Sequence, residues 1–302
     1  MDHKRHPVVP LLLLAASLGF ATAAKAGIIE DNLAAYRGET AEGYLRPLSE
    51  GLGQSLNTGF FTTAQIPKDG VHVRLELQLM SVFFEDGDGV FLAKANDEFE
   101  NQDETEVSTV VGPLTGTTLE GDSGTGYAFP GGLDLGSVSL VMPQITVGSV
   151  VGTEATLRWI AIDSGSTDVG KINLIGFGVR HSISQWFDWN FDVAASAFYQ
   201  KITAGDQDLM DGNALSLGGQ VSKTFGMFEP FGSVTWDSWK MTASWTAFAE
   251  TPSQEDQTID FQTDTNLHFL AGAGIRVSVL RFYGAVNFAQ RVGISAGLSV
   301  GS

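Results

Sequence analysis

The residues able to do chemistry are few and scattered. Beyond the first 26 residues there are three histidines, His72, His181 and His268. His181 is followed by Ser182 and, two positions on, Ser184. A serine beside a histidine base, with a third group orienting the base, would suit hydrolysis of an acyl lipid. Nothing in this spacing is diagnostic, and a histidine satisfied by its neighbours is the expected state of both His181 and His268. The run Glu85-Asp86-Gly87-Asp88-Gly89 offers clustered carboxylates. A calcium loop needs oxygen ligands at alternate positions, a central glycine and a terminal glutamate. The spacing differs, so a solvated acidic loop is expected. Phosphate-binding glycine loops, dinucleotide fingerprints and zinc-ligand spacings are missing from the sequence. We therefore expect no catalytic residue, no metal site and no cofactor.

Gly121-Asp122-Ser123-Gly124 has the form of the segment around a protease serine. That chemistry also needs a histidine base and a buried aspartate in reach of the hydroxyl, and no histidine here has a fitting context. A glycine-rich loop is the expectation. More informative are Arg74, Glu76, Glu154, Arg158, His268 and Arg276. Each falls on the polar side of a segment whose residues alternate apolar and polar. If such segments form a membrane barrel, these side chains must point into the lumen. A charge on the lipid side near the midplane costs about 2–4 kcal/mol. They are predicted to fill a narrow interior with ion pairs.

The elements that would position them are strands. From Val71 to Leu79 the odd positions are Val, Val, Leu, Leu, Leu and the even ones His, Arg, Glu, Gln. This period of two is that of a pleated strand with one apolar face. Ala155, Leu157 and Trp159 oppose Glu154, Thr156 and Arg158, and the same alternation returns at 215–222, 266–278 and 292–301. The run 187–200 places Phe187, Trp189, Phe191, Val193, Ala195, Ala197 and Tyr199 on one face. At roughly 3.3 Å per residue it would be about 40 Å long, enough to cross a bilayer at a tilt. The segment 169–181 has unclear parity, for which a bulge is the expected cause. Val151-Gly152, Gly205-Asp206 and Asp211-Gly212 are turn signals. Residues 85–106 and 112–137 are predicted to be long loops.

Residues 28–56 carry a different period. Ala41, Tyr44, Leu45, Leu48, Leu52 and Leu56 recur at spacings of three and four, predicting a helix with one apolar stripe. Pro47, Gly51 and Gly53 are expected to weaken or split it. Ahead of it, Lys4-Arg5, an apolar run from Val8 to Ala23 and Ala24-Lys25-Ala26 form the three parts of a secretory signal peptide.

Composition narrows the class further. The chain has 302 residues, no cysteine and a net charge of -18. Removing residues 1–26 takes away more cations than anions, so the exported part is more acidic still. Such a chain is not a nucleic-acid binder. Without disulfides, an exported protein must be held by its own hydrogen bonds and packing.

These readings combine into an all-β protein, an antiparallel transmembrane β-barrel of about 12 strands (range 10–14) with an N-terminal helical segment. Residues 1–26 are assigned to a signal peptide, 27–64 to a helical plug or cap and 65–302 to the barrel. The runs LNTGFFTTA (Leu56 to Ala64), PGGLDLGSVSLVMPQ (Pro130 to Gln144), VGTEATLRW (Val151 to Trp159) and IGFGVRHSISQWF (Ile175 to Phe187) resemble an uncharacterised family of bacterial outer-membrane-type β-proteins. The resemblance covers roughly residues 40–202 and brings no established functional residue. The family is distantly similar to the long-chain fatty-acid transporter barrels, which have an N-terminal plug. The Asn-Pro-Ala segment common near the N-terminus of those transporters is missing here, so no substrate site is carried over.

A bacterial outer-membrane location follows as the expectation, with membrane lipid and lipopolysaccharide as surroundings and no nucleic-acid partner. The function expected is passive, porin-like transport or binding of a small molecule, hydrophobic ones first. The alternatives are a non-conducting structural or surface-interaction barrel and an outer-membrane lipid-modifying enzyme. Many such barrels end on an aromatic residue that helps insertion, and Leu298-Ser299-Val300-Gly301-Ser302 keeps the alternation without it.

Overall fold

A computed structural model describes residues 26–93, 104–120, 126–163, 171–205, 209–248, 252, 254–263 and 266–301. Residues 1–25 of the predicted signal peptide, the Gly121-Asp122-Ser123-Gly124 segment, the acidic residues 97–103 and Asp206 of one turn signal lie outside the described residues. Among the described residues, two helices, α1 (Ala26–Leu33) and α2 (Gly38–Leu56), precede fifteen strands: β1 (His72–Phe83), β2 (Val90–Ala93), β3 (Thr105–Ser108), β4 (Thr117–Glu120), β5 (Gly126–Phe129), β6 (Ser137–Val150), β7 (Thr153–Asp163), β8 (Lys171–Ser182), β9 (Asp192–Ala204), β10 (Met210–Ser222), β11 (Phe228–Ala247), β12 (Glu255–Gln262), β13 (Leu267–Val277), β14 (Leu280–Phe288) and β15 (Val292–Gly301).

Ten of these strands close an antiparallel barrel in the order β1-β6-β7-β8-β9-β10-β11-β13-β14-β15, and β15 pairs back to β1. Ten replaces the expected 12. The other five described strands lie outside the barrel. β2–β3 and β4–β5 are separate short hairpins in the long connection between β1 and β6. Among the described residues, β12 pairs with the far half of β11 alone. The 20-residue β11 runs beside β13 over Phe228–Trp236 and beside β12 over Lys240–Ala247, so it rises out of the barrel wall. Alternation reports a pleat, not the partner that the pleat finds.

The barrel is apolar outside and polar or plugged inside. Val73, Leu75 and Leu79 of β1 are exposed, whereas His72, Glu76, Gln78, Met80 and Val82 are buried. Ile175, Phe177, Val179, Leu217, Val234, Phe269, Phe282 and Val286 likewise face outward. A water-soluble fold buries such residues; a wall facing hydrocarbon must show them. No described helix is long and apolar enough to cross a membrane.

Three local expectations change. The run 187–200 is not one strand: β9 starts at Asp192, and Phe187, Trp189 and Phe191 sit ahead of it. Their rings stack in sequence, with centroids 4.5 and 5.4 Å apart. Stacking along a loop has the same every-second-residue signature as a strand face. Over the described residues 171–181 there is no bulge; β8 alternates regularly, and the register shift falls between Gly148 and Val150 of β6. Its inward face is hard to read because Gly176 and Gly178 make room for neighbours. A Cβ on Gly178 would lie 1.8 Å from the Phe198 ring. Finally, α2 is continuous through Pro47, and the helical segment breaks instead at residues 34–37, before Gly38 with φ +47°.

Candidate functional site

The two rims of the barrel differ. One carries connections of two to nine residues: Val151-Gly152 between β6 and β7, residues 183–191 between β8 and β9, residues 223–227 between β10 and β11, and residues 278–279 between β13 and β14. The other carries the long connection between β1 and β6 and the β11–β12 extension. The N-terminal arm fills the lumen between them. α2 lies in the long-loop half, and residues 57–66 continue through the short-turn half as an irregular chain.

Charge and apolar surface are divided between the two halves. In the short-turn half, Glu154 is fully buried and accepts from Arg74 (2.9 Å), from His72 (2.9 Å) and from Arg180. Glu76 accepts from Gln144 (3.0 Å) and Thr146 (2.9 Å). Glu229 pairs with Arg281 at 3.1 Å and accepts from Thr63 of the arm. The arginines use their remaining donors on the arm's backbone. Arg158 reaches the Leu56 and Thr58 carbonyls at 3.3–3.4 Å, Arg180 reaches Thr63 O at 2.6 Å, and Arg281 reaches Thr62 O. Arg158 is wholly buried, lies 3.7 Å over the Phe60 ring and is completed by Gln144 and Gln200. A chain without regular structure leaves its carbonyls unpaired, and buried carbonyls need donors. These arginines supply them.

The structure therefore places Arg74, Glu76, Glu154, Arg158 and His268 in the lumen, whereas Arg276 is exposed at the short-turn rim beside its cross-strand neighbour Arg281. Arg74, Glu76, Glu154 and Arg158 belong to one polar cluster. His268 stands apart, with Nδ1 2.7 Å from Asp237 and Nε2 3.1 Å from Asn287. Ser216 and Thr235 donate to Asp237, and Asn287 donates to Ser295. Both ring nitrogens of His268 thus face oxygen atoms of Asp237 and Asn287 and touch no hydroxyl. His181 Nδ1 lies 2.7 Å from Thr153 Oγ1, while the Gln185 amide donates to Nε2 at 2.9 Å. That assignment puts the imidazole proton on Nδ1, donating to Thr153, the reverse of a base that activates a hydroxyl. Alternation does not single out Arg180, Arg281 or Glu229. Arg180 sits in the segment of obscured parity, while on the inward faces Glu229 is followed by Phe231, and Arg281 by Tyr283 and Ala285, so apolar residues interrupt the polar side.

A second cluster fastens α2 at the long-loop end. Arg291 pairs with Asp88 (2.6 and 2.9 Å) and with Glu50 of α2 (2.8 Å). Gln54 of α2 bonds the Arg291 backbone from both sides, at 2.7 and 3.1 Å. Burial pushes the Asp88 carboxyl up, but the Arg291 guanidinium and the Glu85 N–H outweigh it and hold the group below the usual carboxylate range. The acidic run Glu85–Gly89 thus contributes a structural clamp. Trp239 donates to Ser49 at 3.1 Å. Its indole lies so near the helix that a Cβ on Gly53 would come within 2.4 Å of it, which explains a glycine there.

Above the ionic layer the interior is aliphatic. A cavity of about 140 Å³ separates α2 from the wall, between Leu48 and Leu52 on the helix and Met142, Ile160, Leu174, Ile202 and Met210 on β6 to β10. Its side is not sealed. β6 and β7 pair from Val150↔Thr153 to Gln144↔Arg158 and no further, although β6 continues to Ser137 and β7 to Asp163. β6 stays paired with β1 to Ser137, and β7 with β8 to Asp163, so the wall parts between them. Pro143 stands where pairing stops and has no N–H to offer. An outer groove of about 620 Å³, lined by Pro143, Ile145, Trp159 and Ala161, opens at this seam. Ile160 lines both the cavity and the groove.

Together these features define a closed ten-stranded antiparallel barrel with an apolar exterior, an ion-paired inner plug and an apolar side cavity. The chain belongs to the family of unknown function DUF6588, whose model matches residues 4–302. The match extends through the C-terminal third, beyond the stretch carrying the sequence resemblance. No curated protein matches the chain in sequence. Among solved structures it is similar to the translocator domain of the autotransporter NalP from Neisseria meningitidis, at 12% identity and TM-score 0.33, over 92% of this chain and 99% of that one. It is also similar to the Ralstonia pickettii toluene transporter TbuX, at 10% identity and TM-score 0.26, over 84% and 98% of the two chains. A Pseudomonas aeruginosa FadL homologue matches at 10% identity and TM-score 0.26, over 84% and 97%. The barrel is established by the chain's own strand pairing.

Proposed function

We propose that this protein is an outer-membrane barrel that binds a small neutral hydrophobic molecule and lets it pass, without an energy source, between its interior and the surrounding bilayer. The observation that carries the reading is the aliphatic cavity between α2 and the wall. An aliphatic-lined space of about 150 Å³ is large enough for a ligand of benzene size. Burial of such a ligand is favoured at roughly 25 cal/mol per Å² of apolar surface removed from water. Among the described residues that line it there is no cation for a carboxylate, so a neutral solute fits better than an acid. The seam between β6 and β7 gives the ligand an apolar way to the wall's outer face. The ionic layer below it is occupied by the arm and the arginines that hold it.

The second reading is a non-conducting structural barrel, which the filled lumen favours. Uptake separates the two. Cells making the protein are expected to accumulate radiolabelled benzene faster than cells without it, and Ala204→Phe is expected to remove the gain. Ala204 lines the cavity and is only partly buried, so a phenyl ring there fills the space. Equal uptake in all three strains would reject the transport reading and leave the structural one.

A further inference from the structure

The course of the N-terminal arm through the lumen can be followed contact by contact. Asn32 of α1 donates to Gly131 O at 3.0 Å, and Phe248 N donates to Ala34 O at 2.7 Å. Both partners belong to long-loop connections. Trp245, on the part of β11 that rises out of the wall, donates to Tyr36 O at 3.2 Å. Gln54 is then held by Arg291, in the connection between β14 and β15 at the same rim. Leu56 and Thr58 meet Arg158 in mid-barrel, and Thr62 and Thr63 meet Arg281 and Arg180 lower down. Ala64 N donates to Ser222 Oγ at 3.0 Å, near the short-turn end of β10. Last, Gly152 N donates to Lys68 O at 3.2 Å and Ser149 N to Gly70 O at 2.9 Å, at the β6–β7 turn. The contacts descend without reversal from one rim to the other.

Outer-membrane barrels keep short turns on the periplasmic side and long loops outside. We infer that the arm is threaded through the closed barrel with its upstream end outermost, so that α1 and the start of α2 form part of the cell-surface face. The barrel then works as a holder that presents its own N-terminal helix outside the cell, anchored by the lumen arginines and the Arg291 clamp. This rests on the barrel spanning the outer membrane and is independent of any ligand.

The chain has no cysteine, which makes single-cysteine reporters clean. Asp31 on α1 and Glu39 at the start of α2 are exposed near the long-loop rim, and Asp69 is exposed at the short-turn rim. Asp31→Cys and Glu39→Cys are expected to react with a membrane-impermeant maleimide on intact cells. Asp69→Cys is expected to react only after the outer membrane is permeabilised. The reverse pattern, protection of both upstream reporters on intact cells, or labelling of all three there, would overturn the threading. Cell fractionation of the same variants keeps the premise separate. Release as soluble periplasmic protein would overturn the membrane placement, and the inference with it.

Discussion

Oxidising a Val141→Cys, Ala161→Cys pair is expected to bring hydrophobe uptake down to the level of cells lacking the protein, and reduction is expected to restore it. Both positions lie three residues beyond the last paired residues, Gln144 and Arg158. Had the ladder continued, they would face each other. Val141 and Ala161 line the cavity and the outer groove, respectively, on either side of the seam. A disulfide requires Cα atoms within about 7 Å, so the bond forms only when the two strand ends draw together, closing the way through the wall. A Val147→Cys, Ala155→Cys pair is the control, because those residues are already register partners. Its oxidation should leave uptake unchanged. Uptake that persists through a fully oxidised Val141→Cys, Ala161→Cys pair would reject the lateral route and return attention to the lumen.

The second large effect is on stability. Glu154→Leu is expected to cost about 3–5 kcal/mol, because removing one partner of a buried ion pair leaves the other charge stranded. Glu154 faces Arg180, Arg74 and His72 with its side chain fully buried. Arg180 also holds the arm through Thr63. The variant should therefore loosen the arm as well as the wall. A suitable measure is the temperature at which the folded band is lost on an unboiled gel. The exposed pair Lys201–Asp211, at 2.8 Å with side chains 47% and 39% accessible, gives the contrast. Asp211→Asn should cost about 0–1 kcal/mol. Equal shifts in the two variants would show that the polar cluster is not what secures the plug.

Much of this arrangement is legible in the sequence wherever a strand has one lipid face and one polar face. β1, β7, β10, β13 and β15 show their orientation through the period of two, and Arg74, Glu76, Glu154, Arg158 and His268 fall inward for that reason. The apolar stripe of α2 is legible too, since Ala41, Tyr44, Leu45, Leu48 and Leu56 are all buried. Legibility fails where the interior is not polar. Next to α2 the inward face of β8 must be aliphatic or glycine, so Leu174, Gly176 and Gly178 erase the contrast and hide Arg180. The strand number fails for another reason, because a pleat does not say which partner it finds, and β12 pairs with the part of β11 beyond the barrel wall. The cavity and the seam leave one sequence trace, Pro143 within an otherwise good strand. Their existence depends on how far two strands separated by a tight turn stay together, which local pattern does not encode.

Pro47 teaches a related lesson. In an isolated helix it would be a break worth ~3 kcal/mol. Here α2 is packed along its length, with Leu45 and Leu48 buried and Trp239 and Arg291 fixing its polar positions. Tertiary packing outweighs the local penalty. The chain turns instead at Arg37-Gly38, where Tyr36 is buried and the backbone takes a positive φ.

The central claim is that a filled barrel keeps a dry apolar pocket for a small neutral guest. Crystals pressurised with xenon test it most directly, since xenon fills dry aliphatic cavities of this size. We expect one strong xenon site between Leu48, Met142 and Leu174, lost in Ala204→Phe. Ordered water in that space, or xenon density that survives Ala204→Phe, would contradict the claim.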